Sequence, residues 1–189
     1  MPGATVLRMP TLVTDPPPPE FEALLERRRE QDLDRWDEVW DGVLHMNPPP
    51  SREHELLASR LHRILGPLAD AAGLDLLGGV GLGILENNRV PDLALQRPED
   101  AQAQWQRTVA MVVEIRSRGD DTYKKLPFYA EHQVDEVLVA DLAQHTVALL
   151  RLQASGKYEP AVESVVLGVG AAELANQLGW PNQPPSRAD

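Results

Sequence analysis

The chain has 189 residues, of which 42% are hydrophobic and 25% are charged. This length suits one domain with a sizeable core, and the composition excludes a chain that is disordered throughout. The formal net charge of −11 argues against a protein that coats DNA nonspecifically, although a bound metal ion would add positive charge that the sum leaves out.

The chain contains no cysteine. This absence excludes disulfides, thiolate metal sites and a cysteine nucleophile, so carboxylates and histidine are the strong metal ligands that remain. The opening stretch "MPGATVLRMPTLVTD" has no apolar segment of signal-peptide length, and no run of the sequence is long enough to span a bilayer. We therefore expect a cytoplasmic protein without a membrane partner.

The proline run in "TDPPPPE" predicts an extended spacer, so we expect an N-terminal extension over residues 1–19 and a single domain over residues 20–178. The prolines and polar residues of the last stretch predict a C-terminal tail over residues 179–189. The domain is expected to open with a helix from Glu20 to about Gln31.

The segment "RWDEVWDGVLHM" predicts two short strands that turn at Asp41-Gly42, because this dipeptide favours tight hairpins. A long helix capped by Ser51 follows, with leucines and one isoleucine at helical spacing. Pro67 predicts a kink in this helix or its end near Gly66.

The next segment, "GLDLLGGVGLGILENNRVPDLALQRP", predicts a strand, a glycine-rich bend and a second strand from about Arg89 to Leu95. Its glycines do not form a phosphate-binding loop, because no Gly-Lys-Ser/Thr follows and the next element is a strand instead of a helix.

The remaining pattern predicts a strand over Thr108–Ser117 and a helix over about Tyr123–Gln133. It then predicts a hairpin of two apolar strands that turns around Leu142–His145, one or two strands in "YEPAVESVVLGVG", and a last helix over Ala171–Leu178. The order of these elements predicts an α+β fold, with a mixed central sheet flanked by helices.

Two acidic residues interrupt predicted strands that are otherwise apolar. Glu114 lies within "VVEIRS" and Asp92 within "RVPDLALQ". If the two strands are neighbours, as sequential strands usually are, the two carboxylates converge at one edge of the sheet. Mg²⁺ suits such a pair, because it takes oxygen ligands and commonly binds a few carboxylates together with substrate phosphate. The alternative is a structural ion pair between Glu114 and Arg116, Lys124 or Lys125.

The motifs "VPDLAL", "VVEIRS", "DDTYKKLPFY" and "DEVLVAD" follow one another in this order, after "DEVWDGVLHMNPPPSREHELL". Their order and spacing resemble the Uma-two family of putative restriction endonucleases, a branch of the PD-(D/E)xK nuclease superfamily, from about Glu20 to Leu152. The resemblance implies a restriction-endonuclease-like core and a phosphodiesterase site that uses a divalent metal ion, Mg²⁺ or alternatively Mn²⁺.

By the same resemblance, Asp92 and Glu114 are the metal ligands and the backbone carbonyl of Ile115 is a third. The superfamily's lysine corresponds best to Lys125 on the next helix, where it would orient or deprotonate the attacking water or neutralise charge on the phosphate. Arg116 stands at the usual lysine position and cannot act as a base, but it can hold a phosphate in a bidentate fork.

Two further residues match family positions. Glu38 matches an acid on the early hairpin, with a solvated surface charge as the alternative. His54 matches a histidine at the start of the long helix, with helix capping or packing as the alternative. Lys124 is a second candidate for contact with substrate, and which of the two adjacent lysines enters the site depends on where the helix begins.

Two functions follow from these residues. The first is a Mg²⁺-dependent endonuclease that hydrolyses phosphodiester bonds in DNA through a metal-activated water. The second is a nuclease-fold protein without catalysis that acts as a binding or regulatory module, which the acidic composition favours. Cleavage of both strands of a duplex would be easiest for a homodimer.

Overall fold

The computed structural model of the chain describes residues 19–102 and 104–181. The expected extension over residues 1–19 lies outside the described residues apart from its last position, and so do residues 182–189 of the expected tail. The helices are α1 (Pro19–Glu30), α2 (Arg52–Ala72), α3 (Leu126–Glu131) and α4 (Ala171–Gln177). The strands are β1 (Glu38–Trp40), β2 (Val43–His45), β3 (Asp75–Gly78), β4 (Leu82–Ile84), β5 (Asn87–Arg89), β6 (Leu93–Gln96), β7 (Met111–Arg116), β8 (Glu136–Asp141), β9 (Thr146–Leu152) and β10 (Tyr158–Ala161).

A six-stranded sheet in the order β10-β9-β8-β7-β6-β3 forms the centre of the protein. β7 and β8 run parallel and are joined across α3, whereas the other neighbouring pairs are antiparallel. Two separate hairpins, β1–β2 and β4–β5, accompany this sheet. The mixed sheet with flanking helices confirms the predicted α+β fold class.

Apolar side chains cover both faces of the central sheet. On one face, the leucines of α2 pack with residues of α4 against Met111, Val113 and Ile115 of β7. On the other face, Val112 belongs to a second cluster that includes residues of α3. Successive side chains of β7 therefore point to opposite faces of the sheet, as in any strand, and the face that carries Glu114 is also covered by apolar side chains.

The long helix α2 begins as predicted, because the Ser51 side chain accepts a hydrogen bond from the backbone N–H of His54 at 3.2 Å. An end near Gly66 is wrong, since the helix continues past Pro67 to Ala72. Pro67 removes one backbone hydrogen bond on an exposed position, while Leu65 and Ala69 on either side of it are fully buried. Their burial outweighs the lost bond.

The expected strand from Arg89 to Leu95 is wrong. The glycine-rich segment folds into the β4–β5 hairpin, β5 ends at Arg89, and β6 begins only at Leu93. The residues between β5 and β6 do not pair with a neighbouring strand. The N–H of Val90 donates to the side chain of Glu38, and proline at position 91 has no N–H to donate. Asp92 consequently precedes β6 instead of lying within a strand.

The chain from β7 to β8 follows the prediction with shorter elements. β7 covers Met111–Arg116, within the expected Thr108–Ser117. The expected helix over Tyr123–Gln133 is a 3₁₀ turn over Thr122–Lys125 followed by α3. Pro127 is the second residue of α3, where its missing N–H costs no helical hydrogen bond.

The other predicted elements are confirmed. α1 and the β1–β2 hairpin form, and both turn residues of that hairpin, Asp41 and Gly42, have positive φ of 49° and 81°. β8 and β9 form the second predicted hairpin, and β10 is the strand formed in the following segment. α4 ends one residue earlier than expected, and Trp180 beyond it is buried and stacks on His145. Within the described ranges, no helix combines the length and the apolar character needed to cross a membrane.

We expect Leu61→Ala to lower the free energy of unfolding by about 2–5 kcal/mol, because Leu61 of α2 is fully buried against the sheet and its truncation leaves a cavity. Leu85→Ala is the matched control. Leu85 is 65% exposed at the tip of the β4–β5 hairpin, so its removal should change stability by no more than about 0.5 kcal/mol. Urea denaturation measures both, and equal losses would contradict the assigned core.

Candidate active site

The antiparallel pairing of β6 and β7 places Asp92 beside the end of β7. The register matches Leu93 with Val113, so the preceding Asp92 lies level with Glu114. Its Oδ2 accepts a hydrogen bond from the backbone N–H of Ile115 at 2.6 Å. The sheet thereby brings together the two acids and the backbone of Ile115, which the sequence predicts as metal ligands.

Glu114 points to the α3 side of the sheet and is 4% exposed. Its Oε1 accepts a hydrogen bond from the hydroxyl of Tyr129, and both of its oxygens lie near Nζ of Lys125, at 3.1 and 3.2 Å. Burial raises the pKa of Glu114 to about 7, because the attraction of Lys125 does not cancel burial and the repulsion from Asp92 and Glu38. Glu114 therefore binds a proton more readily than an exposed glutamate does, and a cation placed close to it would favour its charged form.

Lys125 lies between two buried carboxylates. Besides the contacts with Glu114, its Nζ donates to Oε1 of Glu38 at 2.9 Å. An ammonium group has three N–H bonds, and these contacts use all of them. Burial lowers the pKa of Lys125, but Glu114 and Glu38 raise it by more, so the pKa lies above its usual value. Lys125 is therefore an ammonium ion at neutral pH.

Glu38 is buried in this cluster, with an exposed fraction of 1%. Its Oε1 accepts the N–H of Val90 at 2.8 Å as well as the bond from Lys125, and its Oε2 accepts the indole N–H of Trp40 at 2.8 Å. The alternative of a solvated hairpin charge is therefore wrong. A buried carboxylate is compensated by hydrogen bonds to its oxygens. The Glu38 carboxylate accepts three such bonds, and they hold it in place.

His54 joins the cluster from the first turn of α2. Its Nε2 lies 3.2 Å from Oδ1 of Asp92, and its Nδ1 is buried without a partner among the described residues. Burial, the largest single influence, lowers the pKa of His54, but the hydrogen bond and charge of Asp92, with smaller contributions from Glu55 and Asp120, raise it overall. The ring therefore gains a proton more readily than a free histidine.

The two residues predicted to bind substrate lie outside this cluster. Arg116 pairs with Asp141, its guanidinium stands 5.5 Å from the Tyr123 ring centre, and its Nε is buried without a partner in the described part of the chain. Lys124 is 66% exposed at its side chain and pairs with Asp121 at 3.1 Å. Of the two adjacent lysines, Lys125 is the one that enters the cluster.

The donors of the cluster fit a small divalent cation. Asp92 and Glu114 present carboxylate oxygens, and together with Glu38 they place three acids around one lysine, so an added cation would relieve their mutual repulsion. Over residues 19–102 and 104–181, no group of three or more histidine and acidic side chains is arranged to hold a metal ion. Two carboxylates are nevertheless sufficient for Mg²⁺, which usually keeps several waters and binds substrate phosphate as well.

Sequence reasoning missed several residues that build the cluster. Tyr129 is one helical turn after Lys125 on the same face, and this spacing was the available signal. Trp40 follows Glu38 by two residues and so shares its strand face. No pattern in the sequence indicated a role for Arg89. Its guanidinium lies 4.5 Å from the Trp40 ring centre and 4.2 Å from that of Phe128, so Arg89 links the β1–β2 hairpin to α3.

Comparison with protein families identifies a family model that covers most of the chain. The Uma2 family model, described as "Putative restriction endonuclease", matches residues 18–169. No curated protein matches the chain in sequence.

A solved crystal structure shows the same fold, and two longer chains contain a weaker likeness. The crystal structure of a putative nuclease belonging to DUF820 from Anabaena variabilis ATCC 29413 has a TM-score of 0.62 at 15% identity, over 75% of this chain and 90% of that one. The DrdV–DNA complex has a TM-score of 0.39 at 16% identity, over 80% of this chain and 12% of that one. The type IIG restriction endonuclease BpuSI has a TM-score of 0.40 at 13% identity, over 68% of this chain and 16% of that one. The last two likenesses are too weak to support an argument.

We expect Lys125→Met to destabilise the fold by about 3–5 kcal/mol, because it leaves Glu38 and Glu114 buried without a cation. The loss should grow between pH 5 and pH 8. A buried carboxylate without its cation has a folded-state pKa above its unfolded value, so stability falls as the pH rises through it. Urea denaturation at both pH values measures the effect.

Lys124→Met is the control for this substitution, since Lys124 is an exposed neighbour of the same size and charge. Its effect should stay within about 0.5 kcal/mol. Similar losses in the two variants would contradict the buried role of Lys125.

Asp141→Asn tests the ion pair with Arg116. Burial raises the pKa of Asp141, but the N–H groups of Gln144 and Ala143 and the Arg116 guanidinium lower it by more. Because the folded-state pKa is below the unfolded one, this stabilisation is present at neutral pH and is lost as the pH falls below about 4. We expect the variant to lose about 1–2 kcal/mol at pH 7 and progressively less near pH 3, as measured by urea midpoints. A deficit that does not change with pH would contradict the assignment.

Proposed function

Because the chain belongs to the Uma2 family, whose model is described as a putative restriction endonuclease, we propose that it is a divalent-metal-dependent endonuclease that hydrolyses phosphodiester bonds in DNA. One observation carries the proposal: Asp92, Glu114 and Lys125, which come from three separate elements, meet in one cluster at the end of β7. A structural ion pair would need only Lys125 and one acid.

Asp92 and Glu114 are the proposed ligands of a Mg²⁺ or Mn²⁺ ion, and the carbonyl of Ile115 is the proposed third protein ligand. When bound, the ion would supply a Lewis acid for the scissile phosphate and an activated water as the nucleophile. The N–H of Ile115 holds Oδ2 of Asp92, and His54 holds its Oδ1. These two contacts keep the Asp92 carboxylate in a fixed orientation toward Glu114.

Lys125 supplies positive charge in this proposal. An ammonium group whose pKa is raised by two carboxylates is a poor general base, so charge neutralisation on the phosphate is the better role of those the sequence leaves open. In this role an N–H of Lys125 that now bonds to Glu114 would bond to a phosphate oxygen instead. The bond from Lys125 to Glu38 would keep the ammonium group in the cluster during this exchange. Glu38 is therefore a positioning residue.

Arg116 and Lys124 are proposed contacts for phosphates on either side of the scissile bond. Lys124 is largely exposed beside the cluster, and Arg116 follows Glu114 by two residues with 28% of its side chain exposed. Both would position the nucleic acid through its backbone, which carries no sequence information. The acidic composition of the chain limits such binding to this local region.

The experiment compares nicking and linearisation of supercoiled plasmid by the purified protein in Mg²⁺ and in Mn²⁺, together with cleavage of single-stranded and linear duplex DNA. We expect metal-dependent cleavage that Asp92→Ala and Glu114→Gln each reduce by at least about 100-fold, since each removes a ligand that holds the reacting group. Asp70→Ala is the control, because Asp70 is an exposed acid on α2.

Cleavage that persists in Asp92→Ala would reject the assigned site. Absence of cleavage of every substrate, with the protein still folded and binding DNA, would favour the alternative of a catalytically silent binding or regulatory module. Linearisation without accumulation of nicked plasmid would support a homodimer that cuts both strands, and sedimentation of the wild-type protein tests that state directly.

A further inference from the structure

The two oxygens of Glu114 are not equivalent. Oε1 accepts two hydrogen bonds, one from the Tyr129 hydroxyl and one from Lys125 at 3.1 Å. Oε2 accepts one bond from among the described residues, that of Lys125 at 3.2 Å. Each carboxylate oxygen offers about two lone-pair sites. Oε1 is therefore saturated, and Oε2 keeps one site open.

Packing fixes the direction of the Tyr129 hydroxyl. The residue is fully buried within the cluster of apolar side chains on the α3 side of the sheet, and its ring meets that of Phe128 edge to face with 6.0 Å between the centroids. A tyrosine hydroxyl carries one proton, and here it donates its hydrogen bond to Oε1 of Glu114. The hydrogen bond to Oε1 is a constant feature of the folded protein.

Resting on the proposed function, we propose that Tyr129 determines which cation the site accepts, by occupying Oε1 of Glu114 and leaving only Oε2 to coordinate. Tyr129 acts through Glu114 and touches no reacting atom, so it is a positioning residue. A carboxylate restricted to one oxygen is a monodentate ligand, and that restriction is the source of the selectivity.

The physical basis is the different coordination of hard cations. Mg²⁺ requires near-octahedral geometry with oxygens at about 2.0–2.1 Å and is served by monodentate carboxylates and waters. Ca²⁺ takes about 6–8 oxygens at 2.3–2.6 Å and often binds both oxygens of one carboxylate. Mn²⁺ shares the octahedral oxygen preference of Mg²⁺ and is the more convenient probe. The Tyr129 hydrogen bond therefore disfavours Ca²⁺ relative to Mn²⁺.

The test is calorimetric titration of the full chain, without DNA, with Mn²⁺ and separately with Ca²⁺. In Tyr129→Phe we expect the ratio of the Ca²⁺ Kd to the Mn²⁺ Kd to fall at least about fivefold, or about 1 kcal/mol, because both oxygens of Glu114 become available to Ca²⁺. Tyr158→Phe is the matched control. It also removes a tyrosine hydroxyl bonded within the fold, in that case to the Val134 carbonyl at 2.6 Å, and should leave the ratio unchanged.

A Tyr129→Phe variant that binds both ions with equally altered or unaltered affinity would overturn the inference, because a merely structural role changes both alike. If Tyr129→Phe fails to fold, 3-fluorotyrosine at position 129 retains the ring and provides a stronger donor. The ratio should then rise above that of the wild type, and an unchanged ratio would overturn the inference.

The failure of the proposed function has a different signature. Wild-type protein that binds no Mn²⁺, or that binds it equally well in Asp92→Ala, would reject the metal site and with it the role of Tyr129. If the wild-type protein binds Mn²⁺ and Asp92→Ala does not, but Tyr129→Phe leaves the ratio of the Ca²⁺ Kd to the Mn²⁺ Kd unchanged, only the inference about Tyr129 is rejected.

Discussion

The candidate site depends on one ammonium group placed between two buried carboxylates. Lys125 precedes α3, Glu38 belongs to the β1–β2 hairpin, and Glu114 lies in the centre of the sheet. Neither acid could remain charged at such low exposure without a cation. The ion pair therefore holds the hairpin, α3 and the sheet in the one arrangement that also brings Asp92 and His54 to the cluster.

This arrangement is a poor choice for stability alone. Replacing a buried ion pair with apolar residues of similar volume is often neutral or stabilising, because desolvation of the charges offsets much of their attraction. The same sheet face packs Val112 and Val139 in an ordinary apolar cluster only a few residues away. The three acids and one lysine on this face therefore add little stability that apolar side chains could not supply, and the proposed nuclease site gives them a role.

Sequence reasoning performed best where a local pattern determines the structure. The helical spacing of leucines in α2 with its Ser51 cap, and the Asp41-Gly42 turn, each predicted an element that forms. It failed between Arg89 and Leu93, because the choice between strand and turn there depends on the Glu38 side chain, about fifty residues earlier in the chain, which takes the N–H of Val90. It also left a kink or an end of α2 near Pro67 open, since the burial of Leu65 and Ala69, which accompanies the continuing helix, is a property of the assembled core.

The sequence by itself determined most of the helices and strands, the α+β class and, through the resemblance, the acids and the lysine of the candidate site, because side-chain periodicity and motif spacing are local properties. Only the tertiary structure decided that Lys125 and not Lys124 enters the cluster, that Glu38 is buried, that Arg116 pairs with Asp141, and that Tyr129 bonds to Glu114. Each of those outcomes depends on where a side chain meets groups from distant parts of the chain, and those groups determine which contacts the side chain makes.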